Sequence, residues 1–288
     1  MQTILPQQMW YPFLSVLSFC WGACLGSFLN VCIYRIPREE SVVHPGSHCP
    51  ACNTPIAWYQ NIPILAWLAL RGRCATCKAK ISPRYIGVEC LTAVLFLLVW
   101  LKFDLAAGPR PLGLAPVASL AVIPLYWLVI MGLVLGTFVD FEHMIIPDRV
   151  TLGGMALGLL ASMLVPSLHG ADSWLAGLVR SGVGLAVGFG SLWAVAVLGE
   201  FAFKKEAMGF GDVKLMGAIG AFLGWQAVLF TIIVASFAGT LIGVILILAR
   251  QKVMQSRIPF GPYLSLGALG WIYWGPQLWD AYLRLLMP

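Results

Sequence analysis

Charge is what this sequence has least of. Only 10% of its 288 residues are Asp, Glu, Lys or Arg, against 60% that are hydrophobic, and the mean hydropathy is +0.86. A chain so poor in charge cannot cover a soluble fold of this size with polar surface, which excludes an ordinary water-soluble enzyme and predicts a multi-pass membrane protein. No charged side chain occurs in residues 1–34, so there is no positive n-region of the kind a cleaved secretory signal carries. The first apolar stretch is therefore expected to remain as a membrane helix with its N-terminus outside. Gly182-Val183-Gly184 is not a nucleotide fingerprint: it lies inside an apolar stretch, follows no strand and lacks the full G-x-G-x-x-G spacing, so helix packing accounts for it. Internal repeats and low-complexity segments are also missing.

What is present is a series of apolar windows near the ~20 residues that a bilayer core requires. They fall at about 11–34, 86–102, 113–139, 150–166, 174–202, 212–224, 227–249 and 259–281, the sixth being short. The fold class that follows is an all-α polytopic membrane protein of about eight transmembrane helices. Its net charge of +6 reports topology, not a nucleic-acid partner. Grouping the loops alternately, one side carries fourteen of the eighteen basic residues: Arg35, Arg38, Arg71, Arg73, Lys78, Lys80, Arg84, Arg149, Lys204, Lys205, Lys214, Arg250, Lys252 and Arg257. The other side carries Lys102, Arg110, Arg180 and Arg284. This asymmetry places the first group of loops in the cytoplasm.

Between residues 35 and 84 the composition changes to charged, polar and proline-rich, which divides the chain into a first transmembrane helix (1–34), a small cytoplasmic domain (35–84) and a multi-helix membrane domain (85–288). The small domain carries Cys49-Pro50-Ala51-Cys52 and Cys74-Ala75-Thr76-Cys77, two C-x-x-C knuckles separated by 21 residues. Four thiolates so arranged suit a tetrahedral Zn²⁺, and with four cysteine ligands no position is open for water, so a structural role is expected. A reducing cytoplasm disfavours two disulfides as the competing account. His44 and His48 are reserve ligands or plain loop histidines. Residues 58–70, rich in aromatic and apolar side chains, could lie on the membrane surface or form a short element within the zinc module.

On the first span, Gly22 and Gly26 have the small-xxx-small spacing that lets another helix approach closely. Asn30, four residues on, needs a hydrogen-bond partner in hydrocarbon. Glu89, just inside the second span, is an uncommon intramembrane acid for which an arginine such as Arg84 or Arg73 is the ordinary partner.

The segment Met208-Gly209-Phe210-Gly211-Asp212-Val213-Lys214 places an acid between glycines at the start of an apolar stretch. Gly209 and Gly211 can take backbone conformations closed to other residues and can approach another chain, so a tight bend at a helix start is expected at Asp212. An intramembrane acid is read as functional by default, although capping of the following helix would also account for Asp212. Asp140, at the end of the third window, comes to the same membrane face. Asp148 follows Pro147 and precedes a new helix, which fits an N-cap. Two neighbouring aspartates at helix ends are the equipment of an aspartic protease: one stays protonated while the other, ionised, activates a water.

The chain resembles the bacterial type IV prepilin peptidases. The matching residues are Gly26-Ser27-Phe28-Leu29-Asn30-Val31 with Arg35-Ile36-Pro37, the two cysteine knuckles with Asn61-Ile62-Pro63 between them, and Asp140 with Ile146-Pro147-Asp148. Gly209-Phe210-Gly211-Asp212-Val213-Lys214 and Pro259-Phe260-Gly261-Pro262 complete the set. The resemblance implies a GxGD-type membrane aspartyl protease with Asp140 and Asp212 as the catalytic pair, supported by Gly209, Gly211 and Lys214. It implies cleavage of prepilins and type II secretion pseudopilins after a leader glycine, at the cytoplasmic face of the bacterial inner membrane. It further implies N-methylation of the new N-terminus with S-adenosylmethionine as donor, although no methyl-donor fingerprint is visible. A membrane transporter with ion-coupling aspartates and a zinc regulatory module is the alternative from another class.

Overall fold

The computed structural model describes residues 5–103, 121–204, 208–249 and 259–286. Part of the third apolar window, 113–120, and Arg110, Lys205, Glu206, Arg250, Lys252 and Arg257 of the charge pattern lie outside the described residues. The helices in chain order are α1 (Leu5–Arg35), α2 (Leu65–Ala69), α3 (Arg84–Phe103), α4 (Val122–His143), α5 (Asp148–Leu164), α6 (Trp174–Phe203), α7 (Phe210–Leu223), α8 (Trp225–Leu248) and α9 (Gly261–Leu286). The described residues contain no strand, only isolated bridges between His48 and Pro55 and between Arg73 and Lys80.

All but α2 coincide with the eight apolar windows, yet among the described residues five helices, α1, α3, α4, α6 and α8, are long and apolar enough to cross a membrane. The expected count of eight crossings is not reached by that measure. Helices α5 and α7 have 17 and 14 residues, and α9 is diluted by polar and aromatic side chains.

The described residues form two compact units, one ending at Ile123 and the other starting at Pro124. In the first, α1 and α3 pack antiparallel. Gly22 and Gly26 make this possible, because a Cβ at either would come within 2.8 Å of α3 backbone, at Ala93 and Glu89 respectively. Leu29, Ile33, Val88, Phe96 and Val99 fill the core of this unit.

The second unit is built around α7. Val213 and every residue from Leu215 to Leu223 are buried, which a helix reaches only when neighbours enclose it on all sides. Its small residues permit that approach: Gly184 and Gly188 of α6 lie directly on Gly220 and on the Met216 carbonyl, and Gly158 of α5 lies on Ala221. The glycines at 184 and 188 thus serve helix packing, as expected. By contrast α6 and α8 expose Phe201, Ile233 and Phe237, the apolar face that lipid would cover.

The far end of α7 is tied down by polar groups. Ser181 Oγ donates to the Ala221 carbonyl at 2.7 Å, and His169 Nε2 lies 3.1 Å from the same oxygen and 2.9 Å from Ser162 Oγ. The Ser162 hydroxyl donates to Gly158, so both neighbours of Nε2 act as acceptors and Nε2 carries the proton. Gly224 then turns the chain from α7 into α8 with φ of +84°, a conformation that favours glycine.

Candidate active site and metal centre

Asp140 stands in the last turn of α4 and is 5% exposed; Asp212 is the third residue of α7 and is 8% exposed. Although 72 positions apart, they are brought to one place by Ile146, which packs on Gly211 beside Asp212 and on Gly261 beside Asp140. The N–H of Gly261, the first residue of α9, donates to Asp140 Oδ2 at 3.0 Å. Two helix N-termini therefore converge on the pair, and the partial positive charge of each favours carboxylates there. The Asp212 carboxylate makes no hydrogen bond to a described residue, so it does not cap α7.

Ile146 holds the three elements together. It lies in the short link between α4 and α5, is buried, and faces both glycines of the site: a Cβ would come within 3.3 Å of Ile146 at Gly211 and within 3.0 Å at Gly261. This bears out the close approach expected at Gly211 and corrects the expected bend. Gly209 has φ of −67° and ψ of 135°, open to any residue, and Gly211 is helical; neither supplies a special bend. What Gly211 supplies is room for Ile146. The link itself turns at Met144, whose φ is +55° and whose N–H returns to the Asp140 carbonyl at 3.0 Å. A methionine in the left-handed region leaves no mark that sequence reasoning can find.

Asp148 is 62% exposed on its side chain and forms an ion pair with Lys214 at 2.7 Å. It is the first residue of α5, the N-cap being Pro147, so the expected capping role is corrected to a first-turn acid. Lys214 therefore turns toward Asp148, with its ammonium 5.2 Å from the Phe210 ring centre, and forms no ion pair with the buried aspartates among the described residues. Gly261, flagged only as part of a motif, is the group whose direct contact with Asp140 the sequence did not reveal.

The second constellation lies in the first unit. The Sγ atoms of Cys49, Cys52, Cys74 and Cys77 lie within 4.8 Å of one another, and Cys49 Sγ is 3.8 Å from Cys77 Sγ. A tetrahedral site with metal–sulfur bonds of ~2.3 Å requires sulfurs roughly 3.8 Å apart, so the four fit one metal ion. The knuckles are built alike: Asn53 N donates to the Cys49 carbonyl and Lys78 N to the Cys74 carbonyl, with Asn53 and Lys78 both at positive φ. Donation from the backbone of Cys77 and Thr76 brings the Cys74 thiol down to about 6 and Thr54 lowers Cys52, while against donation from the Ala79 backbone, burial and the three neighbouring sulfurs push Cys77 up to about 11, so without a cation the four thiols do not ionise together. His48 is engaged with the Gly46 carbonyl at 3.0 Å. Residues 58–70 form a 3-10 turn and α2, with Trp58, Tyr59, Leu65 and Leu68 exposed.

The arginine expected to pair with Glu89 is not there. Its carboxylate instead accepts the backbone N–H of Ile64 at 2.7 Å, with Ser27 beside it. Asn30 is bonded through Nδ2 to the Tyr85 carbonyl at 3.0 Å, which makes it the expected helix glue, but its Oδ1 has no partner among the described residues.

Fold and sites together define a helical membrane protein with a buried aspartate pair and a four-cysteine cluster. Residues 20–103 match the Bacterial Peptidase A24 N-terminal domain, and residues 127–244 match the Type IV leader peptidase family. The chain is 35% identical over 298 aligned positions to a prepilin leader peptidase/N-methyltransferase of Aeromonas salmonicida, covering 94% of each chain. Proteins of the same description from Aeromonas hydrophila and Pseudomonas aeruginosa are 37% and 34% identical, with 93% and 91% of each chain covered. No solved structure matches. The chain belongs to the type IV leader peptidase family.

Proposed function

We propose that this chain is a bifunctional processing enzyme that cleaves the leaders of prepilins and pseudopilins after a glycine and then methylates the new N-terminus. The observation that carries the proteolytic half is the burial of Asp140 and Asp212 together, each beside a helix N-terminus. In this reading a water sits between them. The ionised carboxylate takes a proton from the water as its oxygen attacks the scissile carbonyl, and the protonated carboxyl donates to the developing oxyanion. Gly261 N–H holds Asp140 in place throughout, and Gly211 keeps Ile146 seated beside both.

The four cysteines hold a structural Zn²⁺ that contributes folding free energy to a loop with little core of its own. The methyl donor implied by the resemblance is S-adenosylmethionine, which supplies an electrophilic methyl group when bound. The bias of basic residues toward one set of loops supports a cytoplasmic location at the inner membrane for the zinc module and the aspartates, with 35–84 read as a domain between the first helix and the remaining membrane domain. The transporter alternative has no support from the relatives, whose names describe a peptidase and methyltransferase.

The test is incubation of the detergent-purified protein with a prepilin and S-adenosylmethionine, with product N-termini read by mass spectrometry. The expected product is leaderless and one methyl group heavier. An intact, zinc-loaded protein that leaves several prepilins uncut would overturn the reading.

A further inference from the structure

Glu89 and Asn30 are 7% and 2% exposed, and both sit where the hairpin of α1 and α3 meets the zinc module. They share one face. Gly26 packs on Glu89, Ser27 lies beside its carboxylate, and Asn30, one turn along, bonds the carbonyl of Tyr85, one turn before Glu89. That bond to a carbonyl also fixes the orientation of the Asn30 amide: Nδ2 must face Tyr85, so Oδ1 is the atom left over.

The cluster is consequently short of donors. A carboxylate offers about four lone-pair positions, and the Ile64 N–H is the one donor bonded to Glu89 among the described residues. No cationic side chain among the described residues pairs with it. Holding the Ile64 amide there is itself unfavourable, because this β-branched residue takes φ of +64° and ψ of −56°. A buried acid without a counter-ion, a buried amide oxygen without a donor and a strained backbone occur together at one place.

We infer that Glu89, Asn30 and Ser27 form a binding site for a primary ammonium group. Three N–H donors and one positive charge are what these acceptors need. The identity of the ammonium rests on the bifunctional reading above, which supplies two sources: the new N-terminus of the cleaved chain, or the amino-acid end of the methyl donor. For the peptide source the chemistry balances. One ammonium proton passes to the Glu89 carboxylate, freeing the nitrogen lone pair. That pair forms the N–CH₃ bond as the donor's S–CH₃ bond breaks, and its electrons stay on sulfur in a neutral thioether. The product leaves as the secondary ammonium, and the Glu89 carboxyl returns its proton to water, which restores the carboxylate.

The experiment uses the full zinc-loaded chain in detergent, as wild type, Glu89→Gln and the double variant Glu89→Gln with Ile64→Gly. Binding is measured for a leaderless pilin peptide, for the same peptide lacking its α-amino group, and for S-adenosylhomocysteine; leader cleavage serves as the folding control. Wild type is expected to bind the amino peptide at least tenfold more tightly than the desamino peptide. Glu89→Gln should lose that preference and slow methylation at least a hundredfold while cleavage stays within twofold. If instead the peptide preference persists and S-adenosylhomocysteine binding falls tenfold, the ammonium is the donor's. Retention of both affinities in Glu89→Gln overturns the site. So does recovery of methylation in the double variant, since relief of backbone strain would then be the residue's whole role. If wild type cuts but never methylates, the bifunctional reading fails, and the binding comparison still decides whether an ammonium site exists.

Discussion

The first amide of α9, Gly261 N–H, is bonded to Asp140 Oδ2 at 3.0 Å, so a helix start 121 positions away holds one of the two buried aspartates. A Cβ at residue 261 would come within 2.8 Å of that oxygen and 3.0 Å of Ile146 Cδ1. Gly261→Ala is therefore expected to displace the carboxylate at a cost of about 1–3 kcal/mol. Leader cleavage should fall at least tenfold in kcat, while methylation of an already leaderless pilin continues.

The three aspartates at this end of the second unit should separate by burial. Asp140→Asn and Asp212→Asn are each expected to abolish cleavage to the limit of detection. Asp148→Asn removes an ion pair in which the acid itself is largely exposed, worth at most about 1 kcal/mol. It should keep cleavage within about fivefold of wild type in a gel-shift assay of prepilin processing.

Metal removal probes the first unit. Chelation, or Cys74→Ser, is expected to release one equivalent of zinc by metal analysis and to expose residues 40–82 to protease. The four sulfurs have no other described link holding the two knuckles at this spacing. The second unit contains none of these ligands, so its thermal transition should remain.

His169 predicts an acid sensitivity. Burial holds its imidazole below the ordinary value, the Ala221 carbonyl opposes this, and Arg180 adds to it. In the unfolded chain the residue takes up a proton below about pH 6.5, whereas the folded chain resists. Stability should therefore be full above that pH and decline as pH falls from it toward the lower folded value. The thermal midpoint of wild type should drop more between pH 7.5 and 5.5 than that of His169→Gln, whose amide can still donate to Ala221.

The helices were legible because length and apolarity dictate them, and the cysteine cluster because C-x-x-C spacing constrains its geometry. The aspartate pair was legible as two acids at helix ends, but nothing in the chain announced Gly261 as the group beside Asp140. The misses share a cause. Glu89 was expected to meet an arginine and meets the amide of Ile64; the α4–α5 link turns at Met144; the knuckles turn at Asn53 and Lys78. Each depends on a residue at positive φ that is not glycine, a choice made by tertiary contacts and invisible to local propensity. Gly209 shows the converse, a glycine with ordinary angles.

Helix α7 touches protein on every side, and its 14 residues span roughly 21 Å, less than a bilayer core of ~30 Å. A lipid-facing helix that short would have to thin the membrane around it, tilt its neighbours or recruit partners. Enclosed as it is, α7 has no such mismatch to relieve. The depth of Asp212 is thus set by the helices that pack on α7, through its glycines, and acyl chains reach it only through those neighbours.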